Sequence, residues 1–188
     1  MPFPRSKKVH DEASLYEYAL GALGRRMRTV AEMKRLMRQK HISGDKDATI
    51  EAVVARLKEH RLLNDTQYAA AYSSTRKENS KFGKQRVITD LKIKGVHGEV
   101  IEGAIKNTYG DEDEEQLARE FVAKKRLKEP AKPKRGDLEG QKRFQRETAK
   151  IFRTLLRAGF RIGTVMSVLK QWDVEDEVLL ALEEEGNL

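Results

Sequence analysis

The 188-residue chain contains no cysteine. That excludes disulfides and thiolate metal sites, and it fits a reducing, cytosolic compartment. Its four prolines stand at positions 2, 4, 130 and 133, so no proline interrupts the long stretch between the second and third of them. Aromatic residues make up only 6%. No apolar run approaches the roughly 18 residues that would span a bilayer, so no membrane partner is expected. The opening "MPFPRSKKVHDEAS" lacks the hydrophobic segment of a signal peptide, and residues 1–13 read as a flexible leader. Hydrophobic residues are 38% against 36% charged. Such a modest apolar supply suits helical repeats that each bury one stripe better than a single compact core.

What the chain does carry is positive charge, unevenly spread. Residues 1–110 hold 22 Lys and Arg against 13 Asp and Glu, whereas residues 111–188 hold 16 against 17. Within the second part, Arg119 to Arg161 has 15 basic and 5 acidic residues. A sequence pI near 9.6 with clustered cations points to a polyanion or an acidic protein surface as partner.

Period-two alternation is absent over any long stretch, and helical spacing recurs instead. Leu15, Ala19, Ala22 and Leu23 form one stripe, Val30, Met33, Leu36 and Met37 a second, and Ile50, Val53, Val54 and Leu57 a third. The Asn64-Asp65-Thr66 stretch and the acids of Asp111 to Glu115 are expected at helix starts. Three turns align as Lys40-His41-Ile42, Lys94-Gly95-Val96 and Ala158-Gly159-Phe160. Each precedes an apolar triad: Ile50/Val53/Val54, Ile101/Ala104/Ile105 and Val165/Val168/Leu169. First helices repeat upstream around Tyr18, Tyr68 with Tyr72, and Phe121, whose spacing makes these rings core residues. The chain therefore reads as all-α, with three tandem three-helix repeats at 14–63, 64–110 and 111–182 and a tail at 183–188. A flexible basic insert near 128–140 interrupts the third repeat. Such an array is expected to be an elongated, curved, monomeric molecule with little room for a catalytic pocket.

Enzymatic motifs do not emerge. Gly83-Lys84 resembles a phosphate loop only superficially, because position 78 is Glu, position 85 is Gln and no buried strand precedes it. The four histidines, His10, His41, His60 and His97, show no metal-ligand spacing, and the acidic runs at 111–115 and 173–177 read as solvated helix starts. No enzyme, cofactor or metal is expected. Basic residues, by contrast, recur around each second helix: Arg25, Arg26, Arg28, Lys34, Arg35 and Arg38, then Lys84, Arg86, Lys92 and Lys94, then Arg143, Arg146 and Arg153. These are the candidate contacts to phosphate or acidic protein. To single-stranded DNA they would give weak, salt-sensitive binding without sequence preference.

The segment "LLNDTQYAAAYSSTRKENSKFGKQRVITDLKIKGV" (62–96), with "ALGRRMRTVAEMKRLM" (22–37), resembles the RecX family of bacterial RecA regulators. The resemblance rests on Leu63, Asp65, Tyr68, Ala69, Tyr72, Gly83, Arg86, Val87, Asp90, Leu91, Lys94, Gly95 and Val96. Thr66, where an acid is frequent, and the basic insert depart from the family pattern. The resemblance implies a non-enzymatic cytoplasmic modulator that lies in the groove of a RecA–single-stranded DNA filament and inhibits its ATPase and strand exchange. From the residues alone, an autonomous DNA-binding protein with helix-turn-helix-like units stays open as the alternative.

Overall fold

The computed structural model describes residues 9–110 and 113–186. In chain order these form β1 (Val9–His10), α1 (Glu12–Leu23), α2 (Val30–Arg38), β2 (His41–Ile42), α3 (Lys46–Glu59) and α4 (Asp65–Thr75). A π-helical turn at Arg76–Ser80 follows, then α5 (Lys84–Ile93), α6 (Gly98–Tyr109), α7 (Glu114–Lys125), α8 (Leu138–Arg157), α9 (Ile162–Lys170) and α10 (Asp176–Gly186). The all-α reading holds, and no helix among the described residues is long and apolar enough to cross a membrane.

The helices begin where short polar side chains can accept from free amides. Asp11 caps α1 through Ser14 N at 2.9 Å, and Asp45 caps α3 through Asp47 N and Ala48 N. Asp113 caps α7 through Glu115 N and Gln116 N. Asp111 and Glu112, read with it as a helix start, lie outside the described residues. Asn64 accepts from Gln67 N at 3.0 Å, which leaves Asp65 for a longer reach described below.

The chain divides into two compact units. The first comprises residues up to Tyr72 together with Leu91–Ala104; the second comprises Ser73–Asp90 and the chain from Ile105 onward. In the first, α1, α2 and α3 close over Leu15, Ala19, Ala22, Met33, Met37, Ile50, Val53 and Leu57, all fully buried. Each such aliphatic side chain larger than alanine contributes on the order of 2 kcal/mol. In the second, α9 packs on α7 and α8, and α10 packs on α8 and α9. Phe82, Phe121 and Phe160 meet there ring by ring, with centroids 6.3 and 5.7 Å apart.

Three expectations are corrected. Residues 9–13 are not leader: Val9–His10 pairs in parallel with His41–Ile42, and α1 starts at Glu12 because Asp11 caps it. Residues 183–188 are not simply tail, since α10 is an additional helix that continues to Gly186 with Leu179 and Leu182 buried. The insert is shorter than 128–140, because Asp137 starts α8 by accepting from Gly140 N. It is also anchored, with Pro130 buried and Lys132 Nζ 2.8 Å from Asp173.

The aligned turns have a use that their sequence does not reveal. In the first unit, the start of α2 receives the turn that ends α5. Thr29, fully buried, donates from Oγ1 to the Lys94 carbonyl at 2.7 Å and accepts from Glu32 N at 3.1 Å. The Glu32 carboxylate accepts in return from Thr29 N, which completes a capping box. Asp65, from the start of α4, accepts from Val30 N at 2.9 Å. Gly95 closes the contact at φ +76°, and a Cβ on it would stand 2.4 Å from the Ala31 Cβ.

In the second unit, the start of α5 receives the turn that ends α8. Gly83 N donates to the Ala158 carbonyl at 2.8 Å, and Gln85 N donates to the Gly159 carbonyl at 3.3 Å. Gly159 has φ +93°, and a Cβ there would lie 2.3 Å from Arg86 N; one on Gly83 would lie 2.3 Å from the Gly159 oxygen. Thr29 and Gly83 are repeat-equivalent, each eleven residues before the turn positions Lys40 and Lys94. The same joint is thus built twice. In the first repeat the equivalent turn is covered by β1 instead, with Ser43 N donating to the His10 carbonyl at 2.9 Å.

Candidate polyanion interface

The thirteen candidate cations divide by what already holds them. In the first unit, Arg28 is half-buried and donates from Nε to the Ala22 carbonyl at 3.3 Å, which closes the α1–α2 loop. Lys34 reaches Glu51 at 2.6 Å and so ties α2 to α3. Lys94 is placed 3.1 Å from Glu32 and within 5.8 Å of the stacked rings of Tyr68 and Tyr72. These three serve the fold.

The electrostatics around Glu32 and Lys94 agree with that role. Partial burial works to raise the Glu32 carboxyl, but the Lys94 hydrogen bond and charge, the Thr29 amide and Arg26 together hold it below its ordinary value. Burial likewise works to lower Lys94, and the Tyr68 and Glu32 side chains overcome it, so the ammonium is held more firmly than usual.

Other candidates are exposed and loosely paired. Arg26 lies 3.7 Å from Glu32, Arg38 lies 3.5 Å from Asp47, Arg86 lies 3.2 Å from Asp90, and Arg143 lies 4.0 Å from Glu147. Surface pairs of this kind are worth at most about 1 kcal/mol, so an incoming phosphate or carboxylate can displace them. Arg25 on the α1–α2 loop, Arg35 on α2 and Lys92 on α5 are exposed and form no ion pair among the described residues. These three, all in the first unit, are available to an external anion. Lys84 is half-buried at the start of α5. On α8, Arg143, Arg146 and Arg153 are all exposed, but Arg146 and Arg153 turn toward α10 and line a groove with it.

Sequence reasoning counted Lys81 among the basic residues of the second repeat but missed Lys77 and Lys124, and gave none of the three a place around the π-helical turn. Lys77 Nζ donates to the Thr108 carbonyl at 2.8 Å, Lys124 Nζ donates to the Asn79 carbonyl, and Lys81 pairs with Glu120 at 2.7 Å. A π turn leaves carbonyls out of the ordinary ladder, and ammonium groups satisfy some of those nearby. The "STRKENSK" run offers no periodic signal for this arrangement. Among the described residues no group of three or more His, Asp or Glu converges as a metal site.

Comparison with known proteins agrees with the repeat pattern. Residues 16–57 match the family described as "RecX, first three-helix domain", and residues 64–105 match "RecX, second three-helix domain". The regulatory protein RecX of Bacillus licheniformis is 28% identical over 164 residues, covering 86% of this chain and 56% of that protein. That of Geobacillus thermodenitrificans is 30% identical over 154 residues, covering 82% and 52%. That of Streptomyces coelicolor is 29% identical, covering 85% and 72%. The chain thus spans little more than half the length of the Bacillus relatives. The crystal structure of RecX from Lactobacillus salivarius superposes with a TM-score of 0.60 at 22% identity, over 86% of this chain and 96% of that one, which shows a common fold.

Proposed function

Since the chain belongs to the RecX family, we propose that it is a non-enzymatic regulator of the RecA recombinase in the bacterial cytoplasm. It binds the RecA–single-stranded DNA filament along its helical groove and lowers ATP hydrolysis, strand exchange or filament extension. Three repeats at 14–63, 64–110 and 111–182 would each present a basic second helix to the filament. The observation that carries the reading is the availability of Arg25, Arg35 and Lys92 beside the loosely paired Arg26, Arg38, Arg86 and Arg143. Exposed cations on α2 and α5, whose ends are pinned by the joints, hold their positions against a long, acidic, repetitive ligand. Sequence-independent phosphate contacts of this kind weaken steeply with salt.

The rival reading, sequence-specific helix-turn-helix readout, suits the geometry less. A recognition helix touches base edges through its N-terminal residues. Here the Lys94–Gly95 turn packs on the start of α2 over the buried Thr29, and Ala158–Gly159 packs on the start of α5 over the buried Gly83. Those ends are occupied by protein.

The test is ATP hydrolysis by RecA on single-stranded DNA with increasing amounts of this protein. Hydrolysis is expected to fall, and the Arg25→Glu/Arg35→Glu/Lys92→Glu variant is expected to lose most of the effect. Undiminished hydrolysis with the protein in excess over RecA would count decisively against the proposal.

A further inference from the structure

In the second unit, an open groove of about 1070 Å³ runs between α8 and α10. Its floor is apolar: Phe144 and Ala149 come from α8, Ala181 and Leu182 from α10. Two of these are alanines, which leave room for another backbone to approach. The walls carry opposite charge. Arg146, Lys150 and Arg153 stand at helical spacing along the α8 side, while Glu175 and Glu177 stand on the α10 side. One end is closed where Lys132 hydrogen-bonds Asp173, a contact that holds that carboxyl below its usual range. Glu175, Glu177, Arg146 and Lys150 form no ion pair among the described residues.

This polarity selects the occupant. A nucleic acid strand drawn to Arg146 and Lys150 would meet Glu175 and Glu177 in the same groove, and a basic tail drawn to the glutamates would meet the α8 cations. A small apolar ligand would use the floor and leave both charged rims idle. An amphipathic helix satisfies all three surfaces, with an apolar stripe on the floor, acids toward α8 and bases toward α10. We propose that the α8–α10 groove is a docking site for an amphipathic helix of a protein partner, acidic along one flank and basic along the other. Turning such a helix end for end exchanges its flanks, so the charged walls set its direction as well as its affinity. Arg146 and Lys150 are thereby assigned to a protein contact and not to DNA phosphate. Nothing in this site depends on RecA or on the exposed cations of the first unit.

The experiment uses the full chain and three fluorescein-labelled synthetic helices of about four turns each. All share one Leu/Ala stripe; one has Glu on one flank and Lys on the other, one has Glu on both, and one has Lys on both. By fluorescence anisotropy the mixed-flank peptide is expected to bind at least about tenfold more tightly than either uniform peptide, a difference of about 1.4 kcal/mol. Ala181→Trp, an exposed position that a large ring would fill, is expected to abolish that binding with the circular dichroism spectrum unchanged. The exposed double reversal Glu175→Lys/Glu177→Lys is expected to transfer the preference to the all-Glu-flanked peptide. The proposal is overturned if the mixed peptide fails to saturate at millimolar concentration, or if a uniform peptide binds the unaltered protein equally well. Survival of binding in Ala181→Trp, an unchanged preference in the double reversal, or displacement of the mixed peptide by an oligodeoxynucleotide would each overturn it as well.

Discussion

At Thr29 one joint is made by a hydroxyl, a carboxylate and an ammonium; at Gly83 the equivalent joint is made by bare backbone. Both bring the turn that ends one repeat's second helix against the start of the preceding repeat's second helix. In the first unit the approach is set by side chains: Thr29 bridges to the Lys94 carbonyl, Glu32 pairs with Lys94, and Ala31 fills the space over Gly95. In the second unit Gly83 and Gly159 lie so close that neither has space for a Cβ. A side-chain joint can be adjusted by substitution and by pH. A backbone joint gains short amide–carbonyl bonds at the cost of tolerating only glycine.

The largest effect is therefore expected in the second unit. Gly159→Val places a branched side chain at φ +93° against Arg86 N and the Gly83 carbonyl, and should cost about 3 kcal/mol or more. Trp172, the single tryptophan, belongs to the second unit, so its fluorescence in a urea titration reads the loss there. A variant as stable as the parent would show that the glycine contact is not needed.

Gly95→Ala comes next, at about 2 kcal/mol, because a positive φ and the Ala31 methyl both oppose it. Adding Ala31→Gly removes the collision but not the φ strain, so about half should return. Hydrogen exchange across α2 and α5 measures both variants, and simple additivity in the cycle would contradict a direct contact. Thr29→Val keeps the shape and loses the cap and the Lys94 hydrogen bond, for about 1–2 kcal/mol.

The smallest effect is the pH response of the Glu32–Lys94 pair. The Glu32 carboxyl is lowered in the folded state, so its stabilisation is present above its ordinary value of 4.5 and is lost as pH falls through the folded value. Lys94 is raised, so its share is complete below its ordinary value of 10.5 and is lost only as pH rises through the folded value. Both side chains are partly exposed, and the whole effect should stay below about 1 kcal/mol. Exchange protection of the first unit should weaken in acid and cease to do so in Glu32→Gln. The Gly83–Gly159 joint, held by amides and carbonyls, gives no titratable bond to lose.

Local signals carried much of this architecture. The three apolar stripes of the first repeat, the triads and the three aligned turns all follow from helical spacing and glycine placement. Of Val87, Ile88 and Leu91 on α5, Val87 and Leu91 are fully buried and Ile88 half-buried. What spacing could not give is the use of those turns, because Thr29 bonds a carbonyl 65 residues away and Gly83 one 75 residues away. Nor could it separate Lys34 and Lys94, spent on the fold, from Arg35 and Lys92, which face solvent. Charge type and position look alike in sequence, and only the partner across the packing distinguishes them. The π turn escaped for a related reason, because carbonyls left out of the helical ladder carry no period; the acids at 173–177 did mark the start of α10, but not its run to Gly186.

The pairing of Val9–His10 with His41–Ile42 has a consequence for assembly. A surface that binds the next copy of itself along a chain is open-ended by nature, and between molecules it would build fibres. β1 occupies that surface on the first repeat. In the third repeat, Glu147, eleven residues before Ala158, lies inside the continuous helix α8, so the receiving end found at Thr29 and Gly83 is not formed there. A self-complementary joint is thus formed at Thr29 and at Gly83, while β1 covers the first repeat's turn and α8 runs through the third repeat's equivalent position.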